Sequence, residues 1–315
     1  MALPGRTPPC NDAAIDLLHL LRSRNYGFTT VSPATHALVN EREGNIEATD
    51  LRGIFGWSRP FDPRLLDAEL MELMRAAQLL EQHGTLWRSR VRISSLGQDL
   101  FMHSAFPTTT ADSVFFGPDT YRFVNAIRQY LAERETPIFR AVDIGCGAGP
   151  GAITIAHAHP TAEVFAADIN EAALRLAAIN AAAAAARNIQ TTRSDLLTGL
   201  NGQFDLIVAN PPYMVDTGAR IYRHGGGELG EGLSVDIVRA ALPRLAPGGT
   251  LLLYTGVAMV EGHDCFLSAV QSTLDAGGRE WSYDELDPDV FPEELLTPAY
   301  RRAERIAAVI LKVKR

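Results

Sequence analysis

From residue 137 onward the chain alternates short apolar runs with helix-length stretches. Apolar runs at 139–144, 163–167, 189–193, 204–209 and 250–254 have strand length, and the first four run into Gly145, Asp168, Ser194-Asp195 and Asn210. Helical stretches at 151–159, 171–187, 234–245 and about 265–276 separate or follow them, the second dense in alanine, the strongest helix former. Strand-like segments at 281–284 and 305–313 bring the strand count to seven. Strands that alternate with helices predict an α/β fold, a mostly parallel, doubly wound, Rossmann-like sheet covered on both faces.

The first 110 residues follow a different rhythm. Helical runs are expected at 12–24, 33–42 and 67–83; the third carries Leu66, Leu70, Leu73, Met74, Ala77 and Leu80 at three- and four-residue spacing, with Gly84 closing it. Segments 85–93 and 99–104 then alternate in polarity around 94–98, as the two arms of a hairpin do. Helices followed by a hairpin predict a smaller helical or winged-helix-like domain at 1–110, ahead of a larger domain at 111–315. Such a unit serves as a nucleic-acid reader, a dimer or substrate platform, or a cap on the enzyme, and the pattern leaves these open.

Composition narrows the class. A 46% hydrophobic, 21% charged chain has the makeup of a soluble globular protein. No run approaches the roughly 18 apolar residues of a membrane span, and residues 1–6 lack a secretory pattern. Cys10, Cys146 and Cys265 are odd in number and far apart, which points to a reducing cytoplasm and to no metal site. The net charge of −8 weakens, without removing, a nucleic-acid partner.

Three strand ends carry candidate chemistry. Asp143-Ile144-Gly145-Cys146-Gly147-Ala148-Gly149 closes the first strand, and glycines there let backbone approach a ligand at a helix N-terminus. A dinucleotide fingerprint would place Gly or Ala at position 150, where the chain has Pro150. Asp168, about twenty residues on, suits the vicinal hydroxyls of a ribose, and Asp195 suits an adenine amino group. Each carboxylate also has a plainer reading, as a loop cap, a helix cap or a turn residue. Asn210-Pro211-Pro212-Tyr213 ends the fourth strand, where ligands of open α/β sheets bind. Prolines remove amide donors and stiffen the loop. The Asn210 side-chain oxygen and the Pro211 carbonyl can then accept both hydrogens of a planar NH2 group, favouring charge build-up on its nitrogen. Tyr213 can lay its ring against a flat substrate group and cover the developing cation. His157 and His159, two apart on a helix, do not form a metal pair; Cys146 is read as packing; His224 is a candidate substrate contact; and Trp57, Trp87 and Trp281 are read as core.

Residues 143–149, 168, 195 and 210–213 together resemble class I S-adenosylmethionine-dependent methyltransferases of the amino-methylating branch, over roughly residues 115–260. That branch includes the glutamine methyltransferases of release factors and the adenine methyltransferases of nucleic acids. The resemblance implies a class I methyltransferase domain and S-adenosylmethionine as cofactor. It places Thr120, Asp143, Gly145, Gly147, Gly149, Asp168, Ile169, Asp195, Leu196 and Asn210 at the cofactor, with Asn210, Pro211 and Tyr213 in catalysis. Residues 116–121 resemble the segment that closes over the cofactor's methionine end, and 226–233 the glycine stretch preceding the next helix in the glutamine enzymes. The expected hairpin departs from the all-helical N-terminal bundle of the release-factor enzymes. That departure speaks against the release factor itself as substrate, and the acidic balance of the chain places N-methylation of protein glutamine ahead of nucleic-acid adenine as the expected activity. A small-molecule methyltransferase with an N-terminal lid, a nicotinamide oxidoreductase and a non-catalytic cofactor-binding module are the competing readings.

Overall fold

A computed structural model describes residues 9–216, 222–276 and 278–315. The chain begins with α1 (Pro9–Ser23), α2 (Pro33–Asn40), the short α3 (Leu51–Phe55) and α4 (Ala68–Ala76). The helix expected over 67–83 stops at α4 because Gln78 takes a left-handed φ of 59° and the Leu79 N–H bonds back to the Met74 carbonyl, a Schellman ending. Two hairpins come next, in place of the single one expected: β1 (Leu80–His83) with β2 (Leu86–Ser89), and β3 (Val91–Leu96) with β4 (Asp99–Ser104). Gly84 thus serves the first hairpin's turn, and the segment expected as one arm over 85–93 is divided between β2 and β3.

After α5 (Pro118–Glu133) come β5 (Arg140–Ile144), α6 (Pro150–Ala158), β6 (Glu163–Asp168), α7 (Glu171–Ala183), β7 (Ile189–Arg193) and β8 (Phe204–Ala209). The chain continues through α8 (Gly232–Ala241), β9 (Leu245–Val260), the two-residue β10 (His263–Asp264), α9 (Cys265–Asp275), β11 (Glu280–Asp287) and β12 (Arg305–Lys314). The sheet runs β11-β12-β9-β8-β5-β6-β7, seven strands in line with β10 paired to β9 off the path. β5 to β9 pair in parallel, and β12 enters antiparallel between β9 and β11. The sheet is thus the expected mostly parallel, doubly wound, Rossmann-like one.

Side chains alternate between two apolar layers, one holding Val164, Val208 and Leu252 and the other Val142, Ile207 and Leu251. A third cluster, with Leu17, Phe55, Phe61, Met74 and Met102, extends onto Ile179 and Ala183 of α7. Asn180, fully buried on α7, fastens these parts together. Its carboxamide accepts from the Met102 N–H at 2.8 Å and donates to the carbonyls of Met102 at 3.0 Å and Ala148 at 2.9 Å. The N-terminal hairpin is thereby tied to the glycine loop. Trp57 and Trp87 are partly buried against the third cluster, and Trp281 against the second. Among the described residues no helix is long and apolar enough to cross a membrane.

Candidate active site

The order in which strands join the sheet reverses at β5: β6 and β7 lie on one side of it and β8 and β9 on the other, all parallel, with Ile144 opposite Ala209 in register. That is the switch point at which a crevice opens beyond the strand ends. One cleft there is lined by Thr120, Asp143, Gly145, Gly147, Asp168, Ile169, Asp195, Leu196, Asn210, Pro211 and Tyr213. The sequence-selected residues from five separate segments therefore meet. Gly149 does not line it; this glycine is the left-handed N-cap of α6 (φ 83°) and packs against Ala177. Pro150 occupies the first turn of α6, where its missing N–H is not needed.

Asp143 is buried, and its Oδ2 accepts from the Ala152 N–H at 3.0 Å in the first turn of α6. Burial, with the neighbouring Asp168 charge adding to it, pushes this carboxyl up to about 7. The plainer capping reading is thus part of what Asp143 does. Asp168 spans two segments, its Oδ2 accepting from the Gly147 N–H at 3.0 Å and its Oδ1 from the Asn170 N–H at 2.9 Å. It is not the cap of α7; that is Asn170, which accepts from the Ala172 N–H. Burial raises the Asp168 carboxyl as well. Asp195 is exposed at the rim, beside Leu196 with its φ of 50°. Ile169 is an apolar side chain left 47% exposed, which makes it a surface for a flat apolar face.

Asn210 is half-buried in the cleft wall, and among the described residues nothing hydrogen-bonds to its carboxamide. Nor does a described backbone N–H reach the Pro211 carbonyl. Tyr213 is 7% exposed; its hydroxyl donates to Asp119 Oδ2 at 2.7 Å. The glycine stretch downstream fits closely around this loop. A Cβ on Gly230 would stand 2.1 Å from the Tyr213 carbonyl oxygen, so backbone packs on backbone there.

The chain contributes again to the cleft wall after Tyr213. Met214, Tyr222 and Arg223 line the cleft, while residues 217–221 of the 214–232 loop lie outside the described residues. The Tyr222 hydroxyl donates to the Thr108 carbonyl at 2.7 Å, and Arg223 pairs with Glu294 and with Asp216 at 3.4 Å. His224, singled out in the sequence, is exposed and outside the lining; its Nδ1 accepts from the Asp216 N–H at 3.3 Å. Its neighbours Tyr222 and Arg223 take the cleft-facing place, while the His224 ring is held back against the Asp216 N–H. Sequence reasoning also missed Phe115, which stands just ahead of the 116–121 segment, and Pro33 and Phe291, which line the cleft from segments with no motif of their own. Among described residues the charged lining is Asp119, Asp143, Asp168 and Asp195 against Arg223 alone. No described group of acids, cysteines and histidines has the arrangement of a metal site, and the Cys146 thiol is buried and raised well above its ordinary value.

A glycine loop and strand-end carboxylates that meet at a switch point suit an adenosine cofactor, and among the described residues the Asn210 carboxamide beside them has no partner. The methyltransferase small domain family matches residues 126–260. The release factor glutamine methyltransferase of Deinococcus radiodurans is 32% identical over 216 residues, covering 61% of this chain and 77% of that one. That of Moorella thermoacetica is 30% identical over 288 residues, 83% of this chain and 94% of the relative. The 4-amino-L-phenylalanine/4-methylamino-L-phenylalanine methyltransferase of Streptomyces pristinaespiralis is 34% identical over 169 residues, 50% of this chain and 55% of that one, so about half of its length is matched. The chain belongs to the class I S-adenosylmethionine-dependent methyltransferases, in the branch that holds the release factor glutamine methyltransferases. It is a methyltransferase, and S-adenosylmethionine is its cofactor.

Proposed function

We propose that the enzyme methylates the side-chain amide nitrogen of a glutamine presented by a protein. The observation that carries this reading is that Asn210 and Pro211 both line the cofactor cleft and that, among the described residues, nothing hydrogen-bonds to the Asn210 carboxamide or the Pro211 carbonyl. An amide NH2 is a poor nucleophile because its lone pair is delocalised. Two fixed acceptors take its two hydrogens and favour a pyramidal nitrogen whose lone pair points into the cleft. They also stabilise the positive charge that grows on nitrogen, and because they are already in place no reorganisation accompanies the reaction. Tyr213 supplies an aromatic wall to the same space.

The residues present fit the cofactor. Asp143 is a buried carboxylate whose raised affinity for a proton is offset by no cationic side chain among the described residues, so it suits the ammonium of the methionine end. Thr120 lies on the same wall, Gly145 and Gly147 leave backbone open to the ligand, and Asp168 suits the ribose hydroxyls. Ile169, Asp195 and Leu196 form the rim for adenine, and Gly149 shapes the turn from behind. Bound S-adenosylmethionine supplies an electrophilic methyl carbon on a sulfonium. The chain's own part is to hold the acceptor nitrogen in line with that carbon and to exclude water.

Among the described residues the lining offers one basic side chain, Arg223, and it is already paired to Asp216 and Glu294, which disfavours a phosphate-bearing acceptor. Residues 1–110 then serve as a platform at the acceptor edge, where Pro33 reaches the cleft. A second reading, methylation of a small aromatic amine, has one observation in its favour: the Tyr222–Thr108 hydrogen bond bridges the acceptor side and narrows it. It agrees with the acceptor named for the Streptomyces relative. The test incubates the enzyme and methyl-labelled cofactor separately with glutamine-bearing peptides, an adenine-bearing oligonucleotide and 4-aminophenylalanine. Label in the peptide amide supports the proposal, label in the amine moves the assignment to the second reading, and label in the oligonucleotide refutes both.

A further inference from the structure

Asp119 is the least expected charge in the cleft wall. It lies 3% exposed in the first turn of α5 and accepts hydrogen bonds from phenols on two other elements. Tyr213 donates to its Oδ2 at 2.7 Å, and Tyr254, near the middle of β9, donates to its Oδ1 at 2.6 Å. An acid in a first helical turn is favourable to the helix dipole. That does not explain this one, whose oxygens take hydrogens from the neighbouring elements. Nor does stability explain it, since well-packed apolar side chains usually serve a core as well as a buried ion pair or better. Arg122 offers a partial counter-charge at 3.3 Å but is shared with Asp287 at 2.6 Å. Two carboxylates thus share one guanidinium beside the Tyr213 hydroxyl; burial raises the Asp119 carboxyl, and the hydrogen bonds from Tyr254 and Tyr213 and the Arg122 charge oppose that rise.

That ring has little freedom. A Cβ on Gly256 would stand 2.2 Å from its Cε2, so the ring lies directly on the β9 backbone, with Phe291 edge-on at 6.2 Å. Between this ring and Asn210 there are only Pro211 and Pro212, whose φ angles are fixed. Whatever holds Tyr213 therefore constrains the backbone on which Asn210 sits. A phenol that donates to a carboxylate is also more electron-rich, and its face attracts a cation more strongly.

We propose that Asp119 is a positioning residue that acts through Tyr213: its carboxylate fixes the ring and enriches it, so that the cleft prefers the sulfonium cofactor over the neutral thioether product. The inference does not depend on which acceptor the enzyme uses. Calorimetry with S-adenosylmethionine and with S-adenosylhomocysteine gives the ratio of the two affinities without any turnover. In Asp119→Asn, and equally in Tyr213→Phe, that ratio is expected to shift against the sulfonium by roughly threefold or more. Because one residue acts through the other, the double variant should shift no further than either single one. An unchanged ratio in the single variants overturns the proposal, as does a double variant whose shift is the product of the two. Tyr213→Phe keeps the ring and loses one oxygen, so it decides the matter even where Asp119→Asn does not fold.

Discussion

Lowering the pH through neutrality should weaken cofactor binding by way of Asp143. Its carboxyl is buried among the strand end, the first turn of α6 and the Phe123 ring, and burial pushes it up to about 7. A group at 7 is ionised to roughly 9% at pH 6 and roughly 91% at pH 8. If the cofactor's ammonium binds only the carboxylate form, the apparent dissociation constant scales inversely with that fraction. Calorimetry should then show about tenfold weaker binding at pH 6 than at pH 8, with most of the change between pH 6 and 7.5. The sign for stability is the opposite one. A carboxyl whose folded value lies above its unfolded value of 3.8 binds a proton more tightly when folded, so it destabilises the apoprotein as pH rises from about 4 to about 7. Bound cofactor should offset that loss. No histidine lines the cleft among the described residues, so none there competes to explain such a profile. Asp143→Asn should bind weakly and with a flat acid limb. A wild-type affinity that does not change between pH 6 and 8 would refute the reasoning.

Asn180→Ala removes three buried hydrogen bonds and leaves both Met102 backbone groups unpaired, so urea unfolding should show a loss of about 2–4 kcal/mol. Gly151→Ala would set a Cβ 2.6 Å from Asp143 Oδ2 and 2.9 Å from Phe123 Cε1; overpacking of about 1–3 kcal/mol is expected in thermal melts. The same variant should bind S-adenosylmethionine less tightly because Asp143 must move. Asp168→Ala should weaken that binding at least tenfold, measured by calorimetry, through the loss of charge-assisted hydrogen bonds; unaltered affinity would remove its ribose role.

The sheet was legible because its signal is local. Apolar runs that end in Gly145, Asp168 and Asn210 state both a strand and its carboxyl end, and the switch point follows from strand order. The N-terminal region was harder to read. Leu66 to Leu80 keep helical spacing across a helix that ends at Ala76, because Leu79 and Leu80 belong to the same apolar cluster after the chain has turned at Gln78. Spacing reports which side chains face the core, not the path between them. Of the site, Asn210, Asp143 and Asp168 announce themselves at strand ends. Asp119 does not, since its partners Tyr213 and Tyr254 are 94 and 135 residues away in sequence. Phe291 enters the cleft from a turn region between β11 and β12 that carries no motif.

Single-turnover methylation of a glutamine peptide by Asn210→Ala, set beside its S-adenosylmethionine affinity, addresses the acceptor geometry most directly. Loss of one of two fixed acceptors should slow the methyl transfer step about a hundredfold or more while cofactor affinity stays within roughly threefold. A variant that transfers methyl at the wild-type rate would contradict the account.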